Sequence, residues 1–223
     1  MRKILYLIIL TCSITYSQDK WELINNHDLK FKLPIDYSSK NTPNAKVYSY
    51  EDDNKIMTLS IFKNEAIKNL KESNENELKR YYKGIIDGYV GKSGSEILSS
   101  ETYNFENTLA EKNVLKVSYQ DGTYNLLEIH ILYKNGLNYF ATFQYDSNAN
   151  QKIINDKDVF FNSFTFITPE IVKKNEGTKI TLTQNDSYQL GNYIGKILSY
   201  ILGISFVAFI IYFFFIKKKK EAI

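Results

Sequence analysis

The chain has a single cysteine, Cys12, and only two histidines, His27 and His130. Cys12 falls inside a leader-like segment. A chain cut behind that segment holds no thiol, which excludes a disulfide framework and cysteine chemistry. The histidines do not recur at ligand spacing, so no metal centre is legible. No Gly-x-Ser-x-Gly elbow marks a serine nucleophile. The triplet Gly91-Lys92-Ser93 would need another glycine five residues before Gly91 to cradle phosphate, but Ile86 stands there, and the triplet follows a helix rather than a strand. Three consecutive carboxylates, Glu51, Asp52 and Asp53, lack the twelve-residue oxygen-ligand loop of a calcium site and read as a solvated hairpin tip. These absences leave no catalytic residue, cofactor or metal to assign.

Basic character is also missing from the centre of the chain. The formal charge is +3, yet residues 18–189 carry a net −3 and the remaining 51 residues a net +6. A mildly acidic centre has no patch with which to grip phosphates, so nucleic acid is excluded as a partner.

The two ends carry the basic excess because they are addressed to a membrane. Arg2 and Lys3 precede the short apolar stretch Ile4 to Leu10, and Thr15 and Ser17 occupy the small positions before a cut ahead of Gln18. This is the pattern of a secretory signal peptide over residues 1–17, since the apolar core is too short to span about 30 Å of hydrocarbon. Ile197 to Ile216 is a run of twenty uncharged residues, and Lys217 to Lys220 follow at once. That is a stop-transfer pattern. It predicts a transmembrane helix over 191–216, a basic cytoplasmic tail at 217–223 and an N-terminal domain outside the cytoplasmic membrane. The Asn-, Lys- and Ile-rich composition with such a leader suggests a bacterial, periplasmic setting.

Between the ends, residues 18–167 suffice for one domain with a core. Alternating stretches predict strands at 29–33, 46–50, 56–62, 96–105, 114–119, 124–133 and 137–145, the last three joined by short turns as a meander. In "NENELKRYYKGIIDGYV", residues 74–90, Leu78, Tyr81, Tyr82, Ile85, Ile86 and Tyr89 form one apolar helical face, closed by Gly91 and Gly94. A second helix is expected near 150–162. The class is α+β, an antiparallel sheet with helices packed on it, plus the C-terminal membrane helix. Residues 168–190 read as a polar juxtamembrane linker.

The segment "FKLPIDY" at 31–37, the long central helix, the meander and "NSFTF" at 162–166 together resemble the PsbP-like superfamily, which includes DcrB-type periplasmic lipoproteins. The resemblance implies an α/β/α sandwich that serves as a binding or assembly accessory, and it brings no catalytic residues with it.

Two constellations remain as candidate sites. Glu128 and His130 lie two apart on one strand and point the same way. They read either as a solvated strand face or as part of a polar site that needs a third group. Gly191, Gly195, Ser199 and Gly203 form a small-residue ladder at every fourth position. Such a stripe suits close helix–helix contact with another membrane protein or with a second copy. The expected function is a membrane-anchored, extracytoplasmic, non-enzymatic accessory that binds or assembles within an envelope complex. A deep pocket at Glu128 and His130 would favour an extracytoplasmic hydrolase instead. A large apolar pocket between sheet and helix would favour a small-ligand or lipid receptor.

Overall fold

The computed structural model describes residues 20–26, 28–63, 70–167 and 187–199. The expected leader, His27, most of the linker, Gly203, most of the apolar run and the basic tail lie outside the described residues. Among the described residues no helix is long and apolar enough to cross a membrane.

In chain order the elements are β1 (Trp21–Asn26), β2 (Leu29–Pro34), β3 (Ser38–Asn41), β4 (Ala45–Glu51), β5 (Lys55–Lys63), α1 (Glu75–Ser93), β6 (Glu96–Phe105), β7 (Thr108–Ser118), β8 (Tyr124–Lys134), β9 (Leu137–Asp146), α2 (Gln151–Asn162) and β10 (Thr165–Phe166). A helical stretch at 187–199, here α3, follows. Seven strands form an antiparallel sheet in the order β3-β4-β5-β9-β8-β7-β6, and β1-β2-β10 form a small second sheet. The meander turns as its sequence demands. Between β8 and β9, Asn135 and Gly136 both take positive φ, 54° and 78°, as a tight hairpin of this hand requires.

The large sheet separates two cores by the two-residue period of its central strands. Leu127, Ile129, Ile131 and Tyr133 of β8 face α1, together with Leu115 and Phe140. Leu132 of β8, Met57, Leu59 and Ile61 of β5 and Tyr139, Ala141 and Phe143 of β9 belong to the other core, with Phe31 and Leu33 of β2 and Phe160 of α2. Helices thus cover both faces, giving the α/β/α layering.

α1 forms where the apolar spacing places it. Asn74 caps its N-terminus by accepting from the Glu77 amide, acidic Glu75 and Glu77 sit in the first turn, and Gly94 closes it in the left-handed conformation. The helix runs past Gly91, so Gly94 alone supplies the stop. Tyrosine tips fix it to the sheet: Tyr81 donates to Asn138 Oδ1 at 2.7 Å, and Tyr82 donates to the Leu109 carbonyl while accepting from the Tyr133 amide, each at 2.9 Å. Each ring therefore buries a large apolar body without orphaning its hydroxyl.

The described helical residues 187–199 include four that precede the expected membrane segment, within what reads as linker, and they pack on α1. A Cβ at Gly191 would overlap the Tyr81 carbonyl oxygen, and one at Gly195 the Ile85 carbonyl oxygen. In return, a Cβ at Gly84 would overlap the Tyr188 carbonyl oxygen, and one at Gly88 that of Asn192. Two glycine pairs, each spaced by four, are therefore set backbone to backbone. A step of four in one helix matches a step of four in the other, so the helices run parallel. Ile194 and Leu198 join the core under α1.

This arrangement reverses the usual sign of a glycine substitution. Alanine normally stabilises a helix interior relative to glycine by about 0.5–1 kcal/mol. Gly91 has open space around it, so Gly91→Ala should show that gain. Gly88→Ala should instead destabilise, by about 1–3 kcal/mol of overpacking. Denaturant unfolding of the full-length chain in detergent compares them directly, and equal stabilisation by both variants would disprove the close approach.

Candidate functional site

His130 and Glu128 point from β8 toward α2, on the face opposite Ile129 and Ile131. The strand register sets their neighbours. His130 lies across from Ala141 of β9 on one side and Lys112 of β7 on the other, and Lys112 in turn faces Glu101 of β6. The reading of these two residues as a solvated face is corrected here. Glu128 is 4% exposed and His130 half-buried, because α2 lies over them.

The two are joined by a third polar group, Tyr103 of β6. The Tyr103 hydroxyl lies 2.8 Å from His130 Nδ1, and His130 Nε2 lies 2.9 Å from Glu128 Oε1. An ionised carboxylate can only accept, so Nε2 carries the proton; Nδ1 of the neutral ring then accepts from Tyr103. Lys157 of α2 donates to the other Glu128 oxygen at 3.1 Å, and Lys112 Nζ stands 3.8 Å from Oε1. Phe161 of α2 stacks on the imidazole with ring centres 3.9 Å apart.

Electrostatics follows from this shell. Burial disfavours the charged form of Glu128, but the hydrogen bonds and charges of His130 and Lys157 outweigh it and hold the carboxyl below its ordinary pKa. Burial opposes the Lys157 cation as well, yet Glu128 raises its pKa above the ordinary lysine value. Burial, followed by the nearby Glu128 and Glu101, pushes Tyr103 up to about 12. The chain Tyr103–His130–Glu128–Lys157 is thus a satisfied network with a firmly protonated phenol at its open end.

That open end borders a cavity of about 210 Å³. Its floor is Leu29, Leu59, Leu132, Tyr139 and Ala141, all buried, and its rim is aromatic, with Tyr103, Phe105, Phe161 and Phe164 beside His130. The Tyr139 hydroxyl is buried and finds no hydrogen-bond partner among the described residues. Ser163, which ends α2, locks this wall by donating to the Phe160 carbonyl and accepting from the Lys32 amide of β2.

The other expected site residues are placed as follows. Gly191 and Gly195 lie against α1, and Ser199 donates within its own helix to the Lys196 carbonyl at 2.8 Å. Of the carboxylate run, Asp52 accepts from the Asn54 and Lys55 amides and pairs with Lys55 Nζ at 2.9 Å, which makes it the clasp of the β4–β5 turn. Among the described residues no three His, Cys, Asp or Glu side chains are grouped to hold a metal ion. Tyr103 and Tyr139 were not legible as site residues, although the alternation of β6 and β9 placed each on a definite face.

Glu128→Gln should destabilise the protein by about 1–3 kcal/mol at neutral pH, because Lys157 and His130 lose a charged partner inside the wall. The sign of the pH dependence follows from the lowered pKa. Glu128 contributes stability above its unfolded value, near 4.5, and that contribution disappears as pH falls through the folded value. The gap between wild type and variant should therefore close on acidification. Urea titrations from pH 7 to pH 3 measure it, and a gap constant with pH would overturn the assignment.

Comparison with known proteins finds neither a matching family model nor a curated relative. Several solved structures are similar in fold. The cyanobacterial PsbP protein, CyanoP, of Synechocystis sp. PCC 6803 has a TM-score of 0.47 at 11% identity, over 69% of this chain and 96% of its own. The Ran-binding protein Mog1p of Saccharomyces cerevisiae has 0.42 at 9%, over 66% and 96%. LpqN of Mycobacterium tuberculosis, described as involved in cell envelope biogenesis, has 0.42 at 9%, over 71% and 97%. The likeness to these proteins is one of fold alone.

Proposed function

We propose that this chain is a membrane-anchored extracytoplasmic accessory of a bacterial envelope complex, and that it works by binding an apolar group rather than by catalysis. The observation that carries the reading is the cavity on the α2 face. It is preformed and walled by hydrocarbon and aromatic rings. Apolar pockets with few polar groups are the usual form of small-molecule sites. Its volume of about 210 Å³ exceeds the roughly 150 Å³ of an engineered apolar cavity that takes up benzene. It suits a ring or a short acyl chain, or an apolar side chain presented by a partner protein.

The polar network beside the cavity supports binding over hydrolysis. His130 spends one nitrogen on Glu128 and the other on Tyr103, a phenol held protonated, and among the described residues no serine, threonine or cysteine borders the cavity. Anchoring by the apolar run and an accessory role at the membrane complete the reading.

A methyl-labelled full-length chain in lipid nanodiscs, titrated with 1-octanol as an apolar probe, tests this. The methyl signals of Leu59 and Leu132 should shift. Ala141→Leu, which fills the floor, should abolish the shifts without loss of stability. Tyr139→Phe should leave the protein as stable or more so, since it removes a buried unsatisfied hydroxyl. Shifts that survive Ala141→Leu would refute the site.

A further inference from the structure

We infer that the parallel packing of α3 on α1 seats the domain directly on the bilayer, with the exposed pair Ile97 and Leu98 at the start of β6 contacting lipid. The inference rests on the proposed membrane anchoring and adds to it an orientation and a contact surface.

The register of the two helices sets the depth. Tyr81 meets residue 191 and Ile85 meets residue 195, so one further turn brings residue 199 level with Tyr89. Leu198 lies against Ile85, Ile86 and Tyr89, and is 6% exposed. Within the first turn of the twenty-residue apolar run, Leu198 is therefore covered by the domain, while Ile197, 40% exposed, faces outward. Residues 200–216 remain, seventeen in number, which as a helix would span about 25 Å, at the short end of what crosses a bilayer. A short span leaves no slack, so the hydrocarbon boundary falls within a turn of residue 200. That level matches the last turn of α1, which ends at Ser93.

The chain next turns at Gly94 and enters β6 at Glu96. Two large apolar residues stand exposed there, Ile97 at 41% and Leu98 at 50%. The ladder with β7 is irregular between Ile97 and Ser99, so Leu98 is bulged out of the pairing. A bulge of this kind re-aims a side chain and also blunts an edge strand against another chain. Exposed aliphatic residues on an edge are a liability in water and an asset against lipid. The rest of β6 up to Thr102 is polar. The apolar pair thus occupies only the end of the strand that α3 delivers to the membrane.

The test uses the full chain in a Cys12→Ser background, reconstituted in phosphatidylethanolamine–phosphatidylglycerol vesicles. Single nitroxide labels are placed at Leu98→Cys, Asn104→Cys and Val207→Cys. Collision with dissolved oxygen is compared with collision with a water-soluble nickel complex. The label at 98 should show the lipid-like ratio of the label at 207, and the label at 104, about 20 Å further along β6, the aqueous ratio. Adding Gly195→Leu to part the helices should return position 98 to the aqueous ratio while 207 stays in lipid. An aqueous ratio at 98 with 207 in lipid overturns the orientation and leaves the anchor standing. An aqueous ratio at 207 overturns the anchoring itself, and the orientation with it.

Discussion

The two-residue period of β8 is the constraint from which both ends of this molecule follow. Its odd positions, Leu127 to Tyr133, present unbroken hydrocarbon and one ring to α1. Its even positions place Glu128 and His130 between Leu126 and Leu132. A register slip of one residue would exchange these faces, burying a carboxylate and an imidazole under a helix that has only tyrosine hydroxyls to offer them. The central position of β8, between β7 and β9, forbids such a slip, because both neighbours would lose their pairing with it. The layers above and below are answers to those two different faces.

On the hydrocarbon face the problem is one of distance. Tyrosine and isoleucine from α1 fill the sheet side, and glycine leaves the outer side low enough for a second backbone to lie against it. Without side chains at Gly84, Gly88, Gly191 and Gly195, the helices gain contact along their whole crossing. On the mixed face the problem is charge. A carboxylate buried alone would take up a proton. Glu128 stays ionised because α2 brings Lys157, β6 brings Tyr103 to His130, and β7 brings Lys112 to the edge of the group. The same helix supplies Phe161 as a lid on the imidazole. Polar satisfaction and cavity wall are thus one construction.

Much of the scaffold was legible. The apolar face of α1 appears residue for residue in its spacing, and the meander follows from alternation and its turns. Three strands and half of a fourth were not: the short β3, Ser38–Asn41, and β10, Thr165–Phe166, carry too few residues to show alternation. β1, Trp21 to Asn26, is recognisable only through its pairing with β2, since its burial does not alternate. The first half of β7, "TLAEKN", hides because its buried positions include Thr108, Glu111 and Asn113, which composition assigns to surface. For the site, sequence parity placed Glu128 and His130 together, but their burial depends on α2, which arrives from residues 151–162. Gly84 and Gly88 were passed over for a related reason. Inside a helix a glycine reads as a weakness of about 1 kcal/mol until the backbone that occupies its empty side is known.

The two faces also separate the two proposed contacts in space. β6 starts at the end of the sheet toward which α3 leads. It carries Tyr103 and Phe105 seven and nine residues later, about 23–30 Å along the strand. The cavity they border therefore lies toward the opposite end of the strand, on the sheet face opposite α1 and α3. On the proposed anchoring, a group reaching it would come from the envelope space or from a partner standing above the membrane, not by lateral entry of a lipid. With the helices locked backbone to backbone, the proposed anchor would hold the cavity at a set height and facing. A flexible tether of the same length would leave both free. Presentation at a set height is what an accessory needs when its partner is itself fixed in the membrane, because it removes the orientational cost of each encounter.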